Sequence, residues 1–110
     1  MGKGQNLGEF EILTLAALVR LGPDAYGASV RREIEGRAGR DVTIGALYAT
    51  LDRLEEKGLV VSRIGEATAE RGGRAKRHVE ITALGRARLE KSANMLGQML
   101  GGLFPRARKR

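Results

Sequence analysis

The chain has 110 residues, enough for one domain with a core of its own but not for a second domain around it, and its 42% hydrophobic and 30% charged residues exclude wholesale disorder and fibrous repeats. Lys plus Arg number 20 against 13 Asp plus Glu, and the resulting net charge of +7 favours a polyanionic partner, nucleic acid first. With Cys 0 and His 1, disulfide frameworks, thiolate zinc sites, cysteine nucleophiles and histidine metal clusters are excluded; no Gly-rich nucleotide loop lies between a strand and a helix, so neither catalysis nor a cofactor is expected. Residues 1–6 are polar, and no apolar run approaches the roughly 20 residues that span a bilayer, so the expected setting is the cytoplasm, with no membrane partner.

Residues 7–21 carry Phe10, Ile12, Leu13, Leu15, Leu18, Val19 and Leu21 almost all round a helical wheel, and Gly22-Pro23 supplies a stop. In so small a domain, a helix apolar on all sides is either central or covered by another subunit. Val30 and Ile34 then stand among Arg31, Arg32, Glu33 and Glu35, which predicts a short amphipathic helix over 27–38. Thr43 is placed to cap a third helix over 44–57, with Val42 and Leu47 as the halves of a hydrophobic staple and Gly58 at the left-handed position beyond its end. On its wheel Ile44, Leu47, Leu51 and Leu54 form a buried stripe. Gly45, Ala49, Asp52, Arg53 and Glu56 lie opposite, with Ala46 and Tyr48 on the flanks.

Residues 59–64 and 78–81 read as two β-branched strands on either side of a Gly- and charge-rich stretch, a hairpin with a long tip. Thr82 can cap a last helix over 83–104, ending near Pro105, whose Leu89, Ala93, Leu96, Leu100 and Leu103 step by four and three like a coiled-coil seam. Such a helix spans about 33 Å at 1.5 Å per residue, longer than a small domain's core needs, which favours dimerisation. The predicted fold class is mainly α with a small β-hairpin (α+β). A winged helix-turn-helix fills 1–82, a dimerisation helix 83–104 and a basic tail 105–110. The interface is expected to use Phe10, Leu13, Leu89, Ala93, Leu96, Met99, Leu100 and Leu103.

In a winged helix-turn-helix the third helix enters the major groove. Gly45, Ala46 and Ala49 allow close approach to base edges, Thr43 and Tyr48 offer hydroxyls, Arg53 can reach phosphate or guanine, and Asp52 and Glu56 should point away from DNA. Around Gly72-Gly73 the hairpin carries Arg71, Arg74, Lys76 and Arg77, suited to a phosphate backbone or minor groove, although a solvated basic loop is the plainer alternative. The expected function is a repressor binding a pseudopalindromic operator in double-stranded DNA as a homodimer. A winged helix that binds protein or RNA is the rival reading.

The strings Asp24-Ala25-Tyr26-Gly27, Gly45-Ala46-Leu47-Tyr48-Ala49-Thr50-Leu51-Asp52-Arg53-Leu54-Glu55-Glu56-Lys57-Gly58-Leu59-Val60, Gly72-Gly73-Arg74-Ala75-Lys76-Arg77 and Ile81-Thr82-Ala83-Leu84-Gly85 resemble the PadR family of transcriptional regulators. The resemblance implies a dimeric, usually repressing, winged-helix protein. It gives Tyr48, Gly73, Arg74 and Lys76 a DNA-contact role, and the single last helix is similar to that of the shorter members. Where the family usually has two adjacent aromatics after the wing, this chain has His78-Val79. Members often respond to small hydrophobic or phenolic compounds, but with no Trp and 4% aromatics a flat effector lacks obvious stacking partners here.

Overall fold

A computed structural model describes residues 6–65 and 76–104 of the chain. Helix α1 (Glu9–Leu21) starts two residues later than its apolar run, because the Glu11 carboxylate turns back to accept the Gly8 N–H at 2.9 Å and fixes Gly8 as the cap. Helix α2 (Gly27–Ala38) ends on Gly39, whose φ of 64° is left-handed, and α3 (Ile44–Glu56) follows after a short turn. Glu35 braces that turn by accepting the Val42 N–H at 3.0 Å, a bond that lowers the pKa of its carboxyl. Thr43 caps α3 by accepting the Ala46 N–H at 3.1 Å, and Gly58 takes φ 78° beyond its end, both as the sequence predicts.

Leu15 and Leu18 of α1, Val30 and Ile34 of α2, and Leu47, Leu51 and Leu54 of α3 meet in one core with Val42, Leu59, Val60 and Val79. Each such side chain withdrawn from water stabilises the fold by about 1.5–3 kcal/mol. One member of the predicted stripe is absent from it. Ile44 is 41% exposed, since it stands in the first turn ahead of the place where α3 meets the core, and Thr50 is buried instead.

Strands β1 (Val60–Ile64) and β2 (Arg77–Ile81) pair antiparallel, from Val60 opposite Ile81 to Ile64 opposite Arg77. The turn before α2 lies along the free edge of β2. The Val79 N–H donates to the Ala25 carbonyl at 2.9 Å, and a bridge joins Tyr26 to His78. A carbonyl only accepts, so the His78 Nδ1, 3.1 Å from the Asp24 oxygen, carries the proton.

Helix α4 (Ala83–Leu100) is capped by Thr82, which accepts the Gly85 N–H at 2.9 Å and donates to the Gly58 carbonyl at 2.8 Å. Gly85 lies so close to the Leu59 carbonyl that any Cβ there would collide with it. The helix stops at Leu100, short of the predicted 104: Gly101 is extended, and Gly102 has φ 81°, a left-handed conformation that glycine adopts at little steric cost. Leu103 therefore leaves the helical seam assigned to it.

Candidate nucleic-acid interface

The solvent side of α3 begins with Thr43, Gly45, Ala46 and Ala49, all exposed. Nothing lies within 4 Å of where a Cβ on Gly45 would sit, so the first turns of the helix present a low, open surface. Tyr48 is half-buried and leans on the start of α2, where a Cβ on Gly27 would run into its hydroxyl. Gly27, the first residue of α2, and the tyrosine of α3 are thus one packing unit. Arg53, half exposed, turns towards α1: its guanidinium donates to the Thr50 hydroxyl at 3.1 Å and lies 3.8 Å from Glu11.

Lys76, where the described part of the wing resumes, places its ammonium 4.3 Å from the centre of the Tyr26 ring, and the His78 ring meets the same ring edge-on at 6.0 Å. Arg32 beside the Tyr26 hydroxyl, helped by the Lys76 charge, lowers the pKa of that phenol. Tyr26 is half-buried rather than part of the core, and with Lys76 and Arg32 it makes a cationic corner next to α3. Arg71, Gly73 and Arg74 lie outside the described residues, as does the tail from Arg106 to Arg110.

Arg77 does not project into solvent. Its Nη2 donates to Asp52 at 3.1 Å and to Glu55 at 3.0 Å, its Nε donates to the Ser62 hydroxyl at 3.1 Å, and its guanidinium lies 5.7 Å from the Tyr48 ring centre. Asp52 is therefore turned to the hairpin. Sequence reasoning missed this network and the Tyr26–Lys76 contact because both depend on strand register. Only the spacing of Asp52 and Glu55, three apart on one helical face, hinted at the former.

Among the residues expected at a subunit interface, Phe10 and Leu13 are half-buried on α1, with the Arg40 guanidinium 5.2 Å from the Phe10 ring centre. Leu13 also lines an open groove of about 310 Å³ between α1 and α2 with Ala16 and Ile34. Leu89 packs against the core of its own chain. Ala93 is exposed, and Met95, Leu96, Met99, Leu100 and Leu103 stand between 40% and 72% exposed. Among the described residues no group of three or more acids or histidines could hold a metal ion, and no helix is long and apolar enough to cross a membrane.

Two helices joined by a short braced turn, a helix beneath them and a hairpin docked at their side define a winged helix-turn-helix protein of the α+β class. The chain belongs to the transcriptional regulator PadR-like family, whose profile matches residues 15–91, well over half its length. It is therefore a transcription regulator by family and not an enzyme. A solved PadR family transcription regulator from hypervirulent Clostridium difficile is 23% identical with a TM-score of 0.69, covering 84% of this chain and 95% of its own. A transcriptional regulator from Clostridium thermocellum is 21% identical, TM-score 0.68, over 81% of each chain. A winged-helix DNA-binding protein from STIV is 23% identical, TM-score 0.64, over 83% of this chain and 90% of its own. At these identities the likeness shows a shared fold. No curated protein matches the chain in sequence.

Proposed function

We propose that the protein is a cytoplasmic transcriptional repressor that binds a pseudopalindromic operator in duplex DNA as a homodimer. The observation that carries this reading is the open start of α3, where Thr43, Gly45, Ala46 and Ala49 are all exposed and Tyr48 stands at the edge. A helix whose exposed start carries small side chains at these positions can bring its backbone close to base edges in a major groove and read them with hydroxyls. Lys76 beside it, together with Arg71 and Arg74 from the sequence, supplies phosphate contacts, and the net charge of +7 draws the polyanion in. Gly73, between these cations in the sequence, is the further wing position assigned to DNA contact. Residues 1–82 form the DNA-binding part and 83–104 the dimerising part.

Dimerisation rests on the bare end of α4. Steps of seven place Gly85, Ser92 and Met99 on one side of the helix; the first two are buried by the chain's own body, while Met99 is exposed where that body ends. With Leu96 and Leu100 beside it the stripe is left for a second copy, and two copies related by a two-fold axis would present two α3 helices to two half-sites.

The test is a titration of the protein against duplex DNA fragments, single-stranded DNA and RNA at low and moderate salt. Preference for duplex, with discrimination among fragments that persists as salt rises, is the expected result. Absence of sequence preference at every salt, or stronger binding to RNA, would overturn it in favour of a winged helix serving another partner.

A further inference from the structure

The hairpin is held unevenly along its length. Its inner end is anchored by Leu59, Val60 and Val79, all in the core, whereas at its outer end Ile64 is 68% exposed. A two-stranded hairpin is marginal without support, so something other than apolar packing must set its angle to α3 at the outer end. Arg77 stands there, opposite Ile64 in the last strand pair.

Resting on the DNA-binding reading above, we propose that Arg77 is a positioning residue, a strut that fixes the wing against α3 through Asp52 and Glu55 and serves DNA binding by geometry rather than by contact with phosphate. Its planar fork reaches a helix and a strand at once: Asp52 and Glu55 on α3 at 3.1 and 3.0 Å, and Ser62 on β1 at 3.1 Å. Ser62 closes the ring by donating to Glu55 at 2.8 Å. The Arg77 side chain is only 26% exposed, less than either acid it holds. Two carboxylates around one guanidinium leave the cluster with net negative charge, so a phosphate brought to it would be repelled. The network also accounts for two of the three acids on a helix that faces a polyanion: turned onto Arg77, Asp52 and Glu55 are tied to the hairpin and not aimed at the groove.

The two roles for Arg77 give opposite results. Binding to a preferred duplex fragment is measured across a salt series for wild type, Arg77→Gln, Glu55→Gln, the double variant, and Lys76→Gln as the reference for a phosphate contact. A strut predicts that Arg77→Gln weakens binding about tenfold, a middle value for residues coupled by direct contact, with the salt slope of wild type. Glu55→Gln should also weaken binding although it removes a negative charge, and the double variant should be no weaker than Arg77→Gln. Lys76→Gln should flatten the slope by about 0.9, or about twice that in a dimer. A flattened slope for Arg77→Gln, with tighter binding by Glu55→Gln, would overturn the strut in favour of a phosphate contact.

A second measurement needs no DNA. The chain has Cys 0, so spin labels at Ala49→Cys and Ile64→Cys report the α3-to-hairpin distance without background, in samples diluted with unlabelled protein. The distance distribution should be narrow in wild type and broadened by Arg77→Gln. An unchanged distribution overturns the strut. Failure of wild type to bind any duplex would instead overturn the DNA-binding reading, and the distance measurement would still decide whether Arg77 fixes the hairpin.

Discussion

Gly27 and Tyr48 lie 21 positions apart in the chain and touch in the fold, with the Tyr48 Cζ 2.7 Å from where a Cβ on Gly27 would be built. Gly27→Ala should therefore push the ring aside at a cost of about 1–3 kcal/mol, measured by urea unfolding. In a Tyr48→Ala background the same change should cost far less; equal costs in both backgrounds would show that the ring is not what Gly27 accommodates. Glu11 offers a second residue-scale test. Burial alone would raise its pKa, but the Gly8 N–H and the nearby Lys57 and Arg53 outweigh that and lower it. A carboxyl depressed in the folded state adds stability that is present above its unfolded pKa and lost as pH falls through the folded one. Glu11→Gln should thus lower stability at neutral pH, where Lys57 loses its 3.1 Å partner, and flatten the loss of stability on acidification. A wild-type acid limb that matches the variant's would rule out this role. At this scale the helix caps Thr43 and Thr82 were legible because a cap bonds within three residues. The ion pairs of Glu11 with Lys57 and Arg53, and the contacts of Arg77 and Tyr26, were not, because those partners come from distant segments.

The elements themselves could be read from local pattern, and α2 runs over the predicted residues. The discrepancies have local causes. The chain leaves α4 at Gly101 and turns at Gly102, whose left-handed φ of 81° favours glycine, and Ile44 is exposed because a wheel gives direction but not where along the helix the core begins. The wheel could equally not show that one stripe on α4 serves two purposes, with Gly85 and Ser92 against the chain's own body and Leu96 and Met99 beyond its reach. Because Leu96 is already exposed in the single chain, Leu96→Glu should leave the fold intact, yet it buries an unpaired carboxylate in the proposed interface, a cost of several kcal/mol. Light scattering should give a dimer for wild type and a monomer for Leu96→Glu, with equal helix content by circular dichroism. A stable Leu96→Glu dimer would move the interface elsewhere, to α1 or the groove beside it.

For the molecule as a whole, composition and element order led to a basic winged helix-turn-helix protein, and the PadR-like motifs narrowed it to a family that the chain's match over 15–91 then showed. What could not be read was how the parts bear on one another: that the His78-Val79 pair sews the hairpin to the turn before α2, with Val79 in the core, or that Asp52 and Glu55 of α3 bond to Arg77 of the hairpin. Affinity in this account comes from charge and specificity from α3. Tyr48→Ala should accordingly lower the ratio of operator to random-duplex affinity while leaving the salt slope in place, since Lys76 and the wing remain. A folded Tyr48→Ala dimer with an unchanged ratio would place recognition off α3. The central claim, that a symmetric pair of α3 helices reads a defined sequence, is tested most directly by selecting bound molecules from random duplex DNA. The account predicts enrichment of a pseudopalindrome whose half-site centres lie about one helical turn apart, roughly 34–36 Å, or a multiple of it. Recovery of no shared sequence, or of a single unrepeated site, would contradict it.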